Sequence, residues 1–260
     1  MKSTSSVILQ LSDLHLMADP DAVLKGVKTR DTFVEVLNLA RERSLQGGNE
    51  FDFVVLSGDL AHDEQLVTYE ILREQLGDWL PRCRLIPGNH DDRASIRKVF
   101  PELVPADGEF ITFSVESAGW RLIGLDSHLD GEVHGHVDPS QLDWLAAELS
   151  THASQPTLVF VHHPPVLVQS PWLDAIGLIN STDLMDVIRS FKQVRVICTG
   201  HVHQESSTVL DDVQILTTPS TGVQFLPYQD ELVCDTIPPG FRLIRLDGDK
   251  FETSVVRLSR

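Results

Sequence analysis

The chain has 260 residues and a formal net charge of -17. This acidity argues against nucleic acid as a partner, because a protein that binds many phosphates needs a basic surface. No apolar run approaches the roughly 18 residues that a membrane helix needs, so we expect no membrane partner. The polar start, residues 1–6, does not resemble a signal peptide. We therefore expect a single domain over residues 1–260 that stays in the cytoplasm.

Short apolar runs alternate with stretches of helical periodicity over the first 200 residues. The apolar runs predict buried strands near residues 7–11, 51–56, 83–86, 157–161 and 194–198. The periodic stretches predict helices near residues 31–43, 64–80, 94–100, 140–149 and 181–191, the last capped by Asn180 or Ser181. Alternation of this kind predicts a sheet covered by helices.

Other segments are predicted to be strands with no helices between them. A hairpin is predicted at residues 109–116 and 120–125, and short strands near residues 207–210, 214–217, 241–246 and 251–258. A long loop containing Trp172 separates two of the helices. Together with the apolar runs, these strands predict an α/β fold of two packed sheets with helices outside.

Each of the five apolar runs ends in a polar turn. The groups delivered there are Asp13 and His15, Asp59, Asn89 and His90, His162, and His201 and His203. In open α/β sheets ligands bind beyond the carboxyl ends of the strands, so we expect these side chains to gather at one edge.

Imidazole and carboxylate ligands suit iron, manganese, zinc or cobalt, and the absence of thiolates argues against a purely structural zinc site. One of the carboxylates can bridge two ions. Two metals about 3.5 to 4 Å apart bind both non-bridging oxygens of a phosphate and hold a water between them as hydroxide. The sequence therefore favours hydrolysis of phosphate esters.

The ordered blocks resemble the calcineurin-like metallophosphoesterases. The resemblance rests on Asp13-x-His15, Gly58-Asp59, Gly88-Asn89-His90-Asp91, His162 and Gly200-His201-x-His203. It implies a four-layer αββα sandwich of two mixed β-sheets flanked by helices. It also implies two metal ions, of which we expect iron and/or manganese, with zinc or cobalt as alternatives.

The resemblance further assigns roles to residues. One metal would be bound by Asp13, His15, Asp59 and His203, and the other by Asp59, Asn89, His162 and His201, with Asp59 bridging. His90 would contact the phosphate and protonate or stabilise the leaving oxygen, because an alkoxide leaves poorly. The substrate would contact His15, Asp59, Asn89, His90 and His203.

One block departs from the pattern of phosphoprotein phosphatases, Gly-Asp-x-x-Asp-Arg. Here it reads Gly58-Asp59-Leu60-Ala61-His62-Asp63. The carboxylate that would pair with the catalytic histidine is replaced by His62, and the arginine that would hold a dianionic monoester is missing. This departure favours a diester, whose single charge two metals neutralise.

A closer resemblance is to bacterial class III cyclic nucleotide phosphodiesterases. It rests on segments beyond the metal blocks: His134-Gly135, Trp172-Leu173-Asp174, Gly200 to Glu205, Pro219 to Phe225 and Asp235 to Arg242. The resemblance implies hydrolysis of 3',5'-cyclic AMP to 5'-AMP by a metal-bridging hydroxide, and it is compatible with a homodimer.

Two other functions stay open. A glycerophosphodiesterase or broad-specificity phosphodiesterase shares the metal blocks and the His-His-Pro-Pro turn. A non-catalytic protein-binding scaffold would be free to lose metal ligands, and none is missing here.

For several further residues the sequence allows two interpretations of their role. His163 is either structural or a direct participant, and His134 either reaches the substrate or is a solvated loop residue. Trp172 and Phe225 either sandwich a base or pack as ordinary apolar residues. His62 and Asp63 are candidates to orient His90.

Overall fold

The computed structural model describes residues 5–46 and 50–259. The strands within these residues are, in chain order, β1 (Ser5–Leu11), β2 (Phe53–Ser57), β3 (Cys83–Ile86), β4 (Phe113–Ser117), β5 (Trp120–Leu125), β6 (Thr157–Val161), β7 (Val194–Thr199), β8 (Ser206–Leu210), β9 (Val213–Thr217), β10 (Gln224–Phe225), β11 (Cys234–Asp235), β12 (Gly240–Asp247) and β13 (Lys250–Arg257). The helices are α1 (Thr29–Gln46), α2 (Leu66–Leu76), α3 (Arg93–Val99), α4 (Pro139–Thr151), α5 (Pro171–Asp174) and α6 (Ser181–Arg189), with a 3-10 helix at Gly77–Arg82.

Two large sheets carry the fold. The first has the strand order β13-β12-β1-β2-β3, in which β1, β2 and β3 are parallel and β12 and β13 are antiparallel to their neighbours. The second has the order β4-β5-β6-β7-β9-β8, with four parallel central strands and an antiparallel strand at each edge. Strands β10 and β11 form a separate small ribbon.

Three apolar clusters lie between four layers. Residues such as Phe33 of α1 pack against the first sheet, and residues such as Leu145 of α4 pack against the second. Trp120 and Phe160 belong to a third cluster, which fills the space between the two sheets. The four-layer αββα arrangement expected from the sequence is therefore confirmed.

Some local predictions were wrong. Helix α2 ends at Leu76 instead of residue 80, because Gly77 takes a left-handed φ of 52° and the chain continues as a 3-10 helix. Strand β4 begins at Phe113 instead of residue 109. Just before β4, the backbone amide of Ile111 donates a hydrogen bond to the side-chain carboxylate of Asp126 and not to the backbone of a neighbouring strand.

Three further differences concern the predicted Trp172 loop, the segments that form β10 and β11, and Asn180. The loop contains the short helix α5, and strands β10 and β11 follow later in segments that the sequence left unassigned. Asn180 occupies the N-cap position of α6, but its side chain bonds the backbone amide and carbonyl of Val137 at 3.0 and 2.8 Å and does not cap the helix.

The described residues contain no helix that is both long and apolar enough to cross a membrane.

Candidate active site

The carboxyl ends of five parallel strands deliver all the predicted site residues to one place. Loops after β1, β2 and β3 carry Asp13, His15, Asp59, Asn89 and His90, and loops after β6 and β7 carry His162, His201 and His203. The site therefore lies where the edges of the two sheets meet, and each sheet contributes to it.

Many of these residues have a strained backbone. Positive φ values occur at Asp13 (52°), His15 (44°), Asp59 (52°), His201 (69°) and His203 (50°). A left-handed conformation is uncommon outside glycine and costs roughly 1–2 kcal/mol per residue. Its concentration in the loops that carry the polar groups is typical of a functional site.

Glycines beside the ligands leave no room for a side chain. A Cβ on Gly88 would lie 2.2 Å from an Asp59 carboxylate oxygen and 2.8 Å from Nε2 of His162. A Cβ on Gly58, at φ 97°, would lie 2.3 Å from Nδ1 of His162. These glycines allow Asp59 and His162 to approach the backbone closely.

One group of ligand atoms comprises Asp13, His15, Asp59 and His203. All four residues are buried, and their ligand atoms lie within 4.8 Å of one another. Nε2 of His15 is 3.4 Å from Oδ2 of Asp59, and Nε2 of His203 is 3.4 Å from Oδ1 of Asp13. The two Nε2 atoms are 3.0 Å apart. This spacing suits one ion bound by two imidazoles and two carboxylates.

A second group adjoins the first through Asp59. Its Oδ1 lies 3.5 Å from Nε2 of His162, while its Oδ2 faces His15. The second group also contains His201, whose Nδ1 lies 3.0 Å from the side-chain amide oxygen of Asn89. Asp59 thus presents one carboxylate oxygen to each group, as the bridging role implied by the resemblance would require.

Two buried ring nitrogens test whether metals fit this site. Nε2 of His162 and Nε2 of His201 have no hydrogen-bond partner in the described part of the chain. Buried polar atoms are rarely left unpaired. An imidazole–carboxylate–amide donor set with two free nitrogens fits a pair of metal ions, and it is the donor set expected from the sequence.

The second nitrogens of two imidazoles are anchored to the backbone. Nδ1 of His162 donates to the carbonyl of Ser57 at 2.8 Å, and Nδ1 of His203 donates to the carbonyl of Val223 at 2.8 Å. Such a bond fixes the ring and leaves Nε2 as the ligand atom.

His163 also lies close to this cluster, but both of its ring nitrogens are occupied. Nδ1 bonds the hydroxyl of Ser127 at 2.8 Å, and Nε2 donates to the carbonyl of Val133 at 3.1 Å. These bonds favour the structural reading of His163.

The ionisation of the metal-free site follows from burial and from neighbouring charges. Burial lowers the pKa of His15 and of His201 to about 3, so each ring is neutral at pH 7. Burial also opposes charge on His162, but the carboxylates of Asp59 and Asp13 raise its pKa to about 9. For Asp59, burial is outweighed by imidazoles, His162 foremost, which hold its pKa well below the usual range. A metal ion bound at His162 would therefore displace a proton.

Asp91 holds the loops after β2 and β3 together. Its carboxylate accepts bonds from the backbone amides of Leu60, Ala61 and Gly88 and from the hydroxyl of Tyr69. Burial, together with the charge of Asp59, raises its pKa to about 7. The sequence analysis included Asp91 in the Gly88-Asn89-His90-Asp91 motif but did not predict that it joins the two loops. Its position directly after His90 was the feature of the sequence that could have indicated this role.

His90 and His62 lie side by side. Their ring centroids are 4.7 Å apart, and Nδ1 of His62 lies 3.2 Å from Nδ1 of His15. Asp63 is engaged elsewhere, since it accepts from the amide of Ala18 at 2.7 Å. Of the two candidates for orienting His90, the structure brings only His62 into contact with it.

A cavity of about 190 Å³ opens onto the metal-ligand cluster. Its polar end contains His15, Asp59, Asn89, His90, His201 and His203. Its other wall is mostly apolar and contains Leu24, Val133, Trp172, Leu173, Ile176, Val223, Phe225 and Leu232. His134 does not line this cavity; its Nδ1 lies 3.7 Å from Glu132.

The two aromatic rings of this wall contact each other. Trp172 and Phe225 have centroids 5.1 Å apart at 76°, and Phe225 is stacked on the ring of His203 at 4.3 Å and 14°. A base sandwiched between Trp172 and Phe225 would need parallel rings with a gap, so these rings form a wall instead.

Comparison with known proteins is consistent with this geometry. Residues 6–205 match the family described as calcineurin-like phosphoesterase. The chain is 34% identical to the 3',5'-cyclic adenosine monophosphate phosphodiesterase CpdA of Escherichia coli, over 97% of this chain and 90% of that protein. It is 33% identical to a 3',5'-cyclic-nucleotide phosphodiesterase of Nostoc sp., over 93% of this chain and 88% of that one.

A solved structure also shares the fold. A dimetal phosphatase from Danio rerio superposes with a TM-score of 0.62 at 16% identity, covering 98% of this chain and 99% of that one. The family match and the identities above show that the chain belongs to the calcineurin-like phosphoesterase family.

Proposed function

We propose that this protein is a dinuclear-metal phosphodiesterase that hydrolyses 3',5'-cyclic AMP to 5'-AMP. The observation that carries the proposal is the position of Asp59, whose two carboxylate oxygens face two separate groups of ligand atoms. Relatives that match nearly the whole chain are named as cyclic AMP or cyclic-nucleotide phosphodiesterases, which supports the choice of substrate.

The roles proposed for the polar end follow from its composition. Asp13, His15, Asp59 and His203 would hold one metal ion, and Asp59, Asn89, His162 and His201 the other. When bound, the two ions supply Lewis-acid charge that activates water and neutralises the phosphate. Five residues of the cavity, His15, Asp59, Asn89, His90 and His203, border the space that the phosphodiester would occupy.

His90 is the proposed general acid. Its backbone amide donates to Oδ1 of Asp59 at 2.9 Å, which fixes the residue beside the ligand cluster, and its ring lines the cavity. Water forms a bond to phosphorus and loses a proton to solvent, the bond from phosphorus to the 3' oxygen breaks, and the His90 ring donates a proton to that oxygen and regains one from solvent. The product is then 5'-AMP.

The apolar wall favours a cyclic nucleotide over a glycerophosphodiester. Side chains such as Trp172, Ile176 and Leu232 offer an aromatic and aliphatic surface to the organic part of the substrate. A purine ring gains from such contact, whereas a glycerol group does not. We keep a broad-specificity phosphodiesterase as the second candidate, because the wall provides few polar groups to distinguish one base from another.

Product analysis with cyclic AMP at defined metal loading tests the proposal. We expect 5'-AMP without 3'-AMP, and a higher kcat/KM for cyclic AMP than for glycerophosphoethanolamine. Cyclic GMP and 2',3'-cyclic AMP in the same assay measure base and ring selectivity. A preference for the glycerol diester, or release of 3'-AMP, would contradict the assignment.

Four finer proposals go with this one. We propose iron and/or manganese as the ions, which elemental analysis of purified protein tests. We propose that residues 1–260 act as a single domain, which requires one cooperative unfolding transition. We also propose a cytoplasmic protein that forms a homodimer, and fractionation together with light scattering measures both properties.

A further inference from the structure

A tight turn carries a lysine into the wall of the cavity. Leu24 and Val27 exchange two backbone hydrogen bonds, each of 2.9 Å, across Lys25 and Gly26. Both central residues have positive φ, 49° at Lys25 and 84° at Gly26. This is the geometry of a type I′ turn, whose first central position normally holds asparagine, aspartate or glycine.

Lysine is a poor choice for that position on conformational grounds. The side chain of asparagine can form a local hydrogen bond with the backbone that offsets the cost of the left-handed conformation, whereas the side chain of lysine does not. Strained residues that persist in a fold concentrate where they serve a function. The left-handed backbone of Lys25 therefore indicates a function for its side chain.

The ammonium of Lys25 is unpaired, whereas that of a close neighbour is not. Lys25 is exposed and has no hydrogen bond or ion pair within residues 5–46 and 50–259. Lys28, three residues later, bonds Asp21 at 2.8 Å. A free cation is thus available at the turn.

The turn has a fixed position relative to the metal-ligand cluster. Thr29, which follows it and is buried, donates its hydroxyl to the backbone carbonyl of His15 at 2.7 Å. Among the described residues that line the cavity, Lys25 is the only lysine or arginine. It also borders a second groove containing Glu35 and Asp235, but it pairs with neither.

We propose that Lys25 is a substrate-capture residue, which draws an anionic phosphodiester into the cavity. The proposal rests on the phosphodiesterase function given above. A chain with a formal charge of -17 repels an anion at long range, so a cation at the cavity wall raises the local concentration of substrate. Lys25 acts on capture and not on bond cleavage, because cleavage takes place at the polar end of the cavity.

Kinetics of the metal-loaded protein test this role. Lys25→Met keeps the aliphatic stem and removes the charge. We expect kcat/KM for cyclic AMP to fall roughly fivefold at low ionic strength, with kcat changed less than about twofold. The difference should shrink toward 1 M salt, where the screening length is only about 3 Å. Lys25→Arg should restore most of the loss.

Lys28→Met is the matched control, since it removes the same charge from the same segment but away from the cavity. Equal effects of the two substitutions would overturn the proposal by assigning the loss to net charge alone. Lys25→Asn separates capture from folding. Asparagine is favoured at this position of the turn, so the midpoint temperature of thermal unfolding should rise by about 2 °C. At the same time kcat/KM should fall as it does in Lys25→Met.

A second substrate distinguishes failure of this proposal from failure of the proposed function. If wild-type protein leaves cyclic AMP intact but hydrolyses bis(4-nitrophenyl) phosphate, the cyclic AMP assignment fails and the same comparison of variants is made on that diester. If it hydrolyses neither, calorimetric binding of cyclic AMP replaces kinetics. Weaker binding by Lys25→Met than by Lys28→Met supports capture, and equal or absent binding overturns it.

Discussion

The two sheets contribute to the site in different ways. Loops of the first sheet are bonded to one another: Asp13 and His15 donate their backbone amides to the carbonyls of Gly58 and Asp59, and Asp91 joins the loops after β2 and β3. This side of the site is a connected frame that carries both carboxylates.

Loops of the second sheet are bonded to that frame. His162 donates to the carbonyl of Ser57, and the backbone amide of His201 donates to Asp13 at 2.9 Å. Within the predicted site they supply imidazoles only. The difference indicates that the first sheet fixes the charge and spacing of the site, whereas loops of the second sheet supply the imidazoles that would complete the coordination of each proposed ion. Phe225, in the separate ribbon of β10 and β11, stacks on His203 and forms part of the cavity wall.

Asp59→Asn tests this division most directly and should have the largest effect. Because Asp59 faces both groups, its replacement weakens both proposed metal sites and should lower kcat/KM for cyclic AMP on the order of a thousandfold or more. The matched variant is His162→Ala on the second sheet. Elemental analysis should find both ions depleted in the first variant and one ion retained in the second. Retention of two ions by Asp59→Asn would contradict the bridging role.

His90→Ala should separate chemistry from metal binding on the same frame. We expect kcat to fall roughly a hundredfold with metal content unchanged, the scale of one general acid or one electrostatic donor. His152→Ala, at the end of α4 and outside the cavity, is the control and should keep wild-type turnover. Unchanged kcat in His90→Ala would remove His90 from the reaction.

The sequence predicted the first-sheet frame in outline because its signals are local. Apolar runs followed by Asp13-x-His15 and Gly88-Asn89-His90 give both the strands and their polar ends. Parallel strands then bring the ends together without further information. The four-layer arrangement follows from the same alternation, together with the resemblance.

Other features depend on contacts between distant segments, so the sequence did not reveal them. Asn180 was expected to cap a helix, but Val137, 43 residues away, offered both of its backbone groups. Trp172 and Phe225 were candidates for a base sandwich, but they are 53 positions apart, and the angle between their rings is set by two separate elements, α5 and β10. Local propensity carries no information on such pairs.

Phe225→Leu tests the apolar wall of the cavity, where the ribbon of β10 and β11 meets His203 from the second sheet. The ring packs between Trp172 and His203, and its loss removes aromatic contact while an apolar side chain remains. We expect KM for cyclic AMP to rise about fivefold with little change in kcat, since aromatic pairs contribute roughly 0.5–1.5 kcal/mol. Metal content should stay at the wild-type value. Equal KM values would show that the wall does not contact substrate.

Tyr69→Phe tests the first-sheet frame and should have the smallest effect on turnover. The hydroxyl of Tyr69 is buried, donates to Asp91 at 3.1 Å and accepts from the amide of Asp92 at 2.7 Å. Its removal leaves that amide without its partner and should lower the free energy of unfolding by about 2 kcal/mol. The chain has one other tyrosine, Tyr228, which is 72% exposed, so Tyr228→Phe is the matched control and should change stability little. Denaturant titration of the metal-free protein measures both variants. If they are equally stable, the bonds around Asp91 are not what holds the loops of the first sheet together.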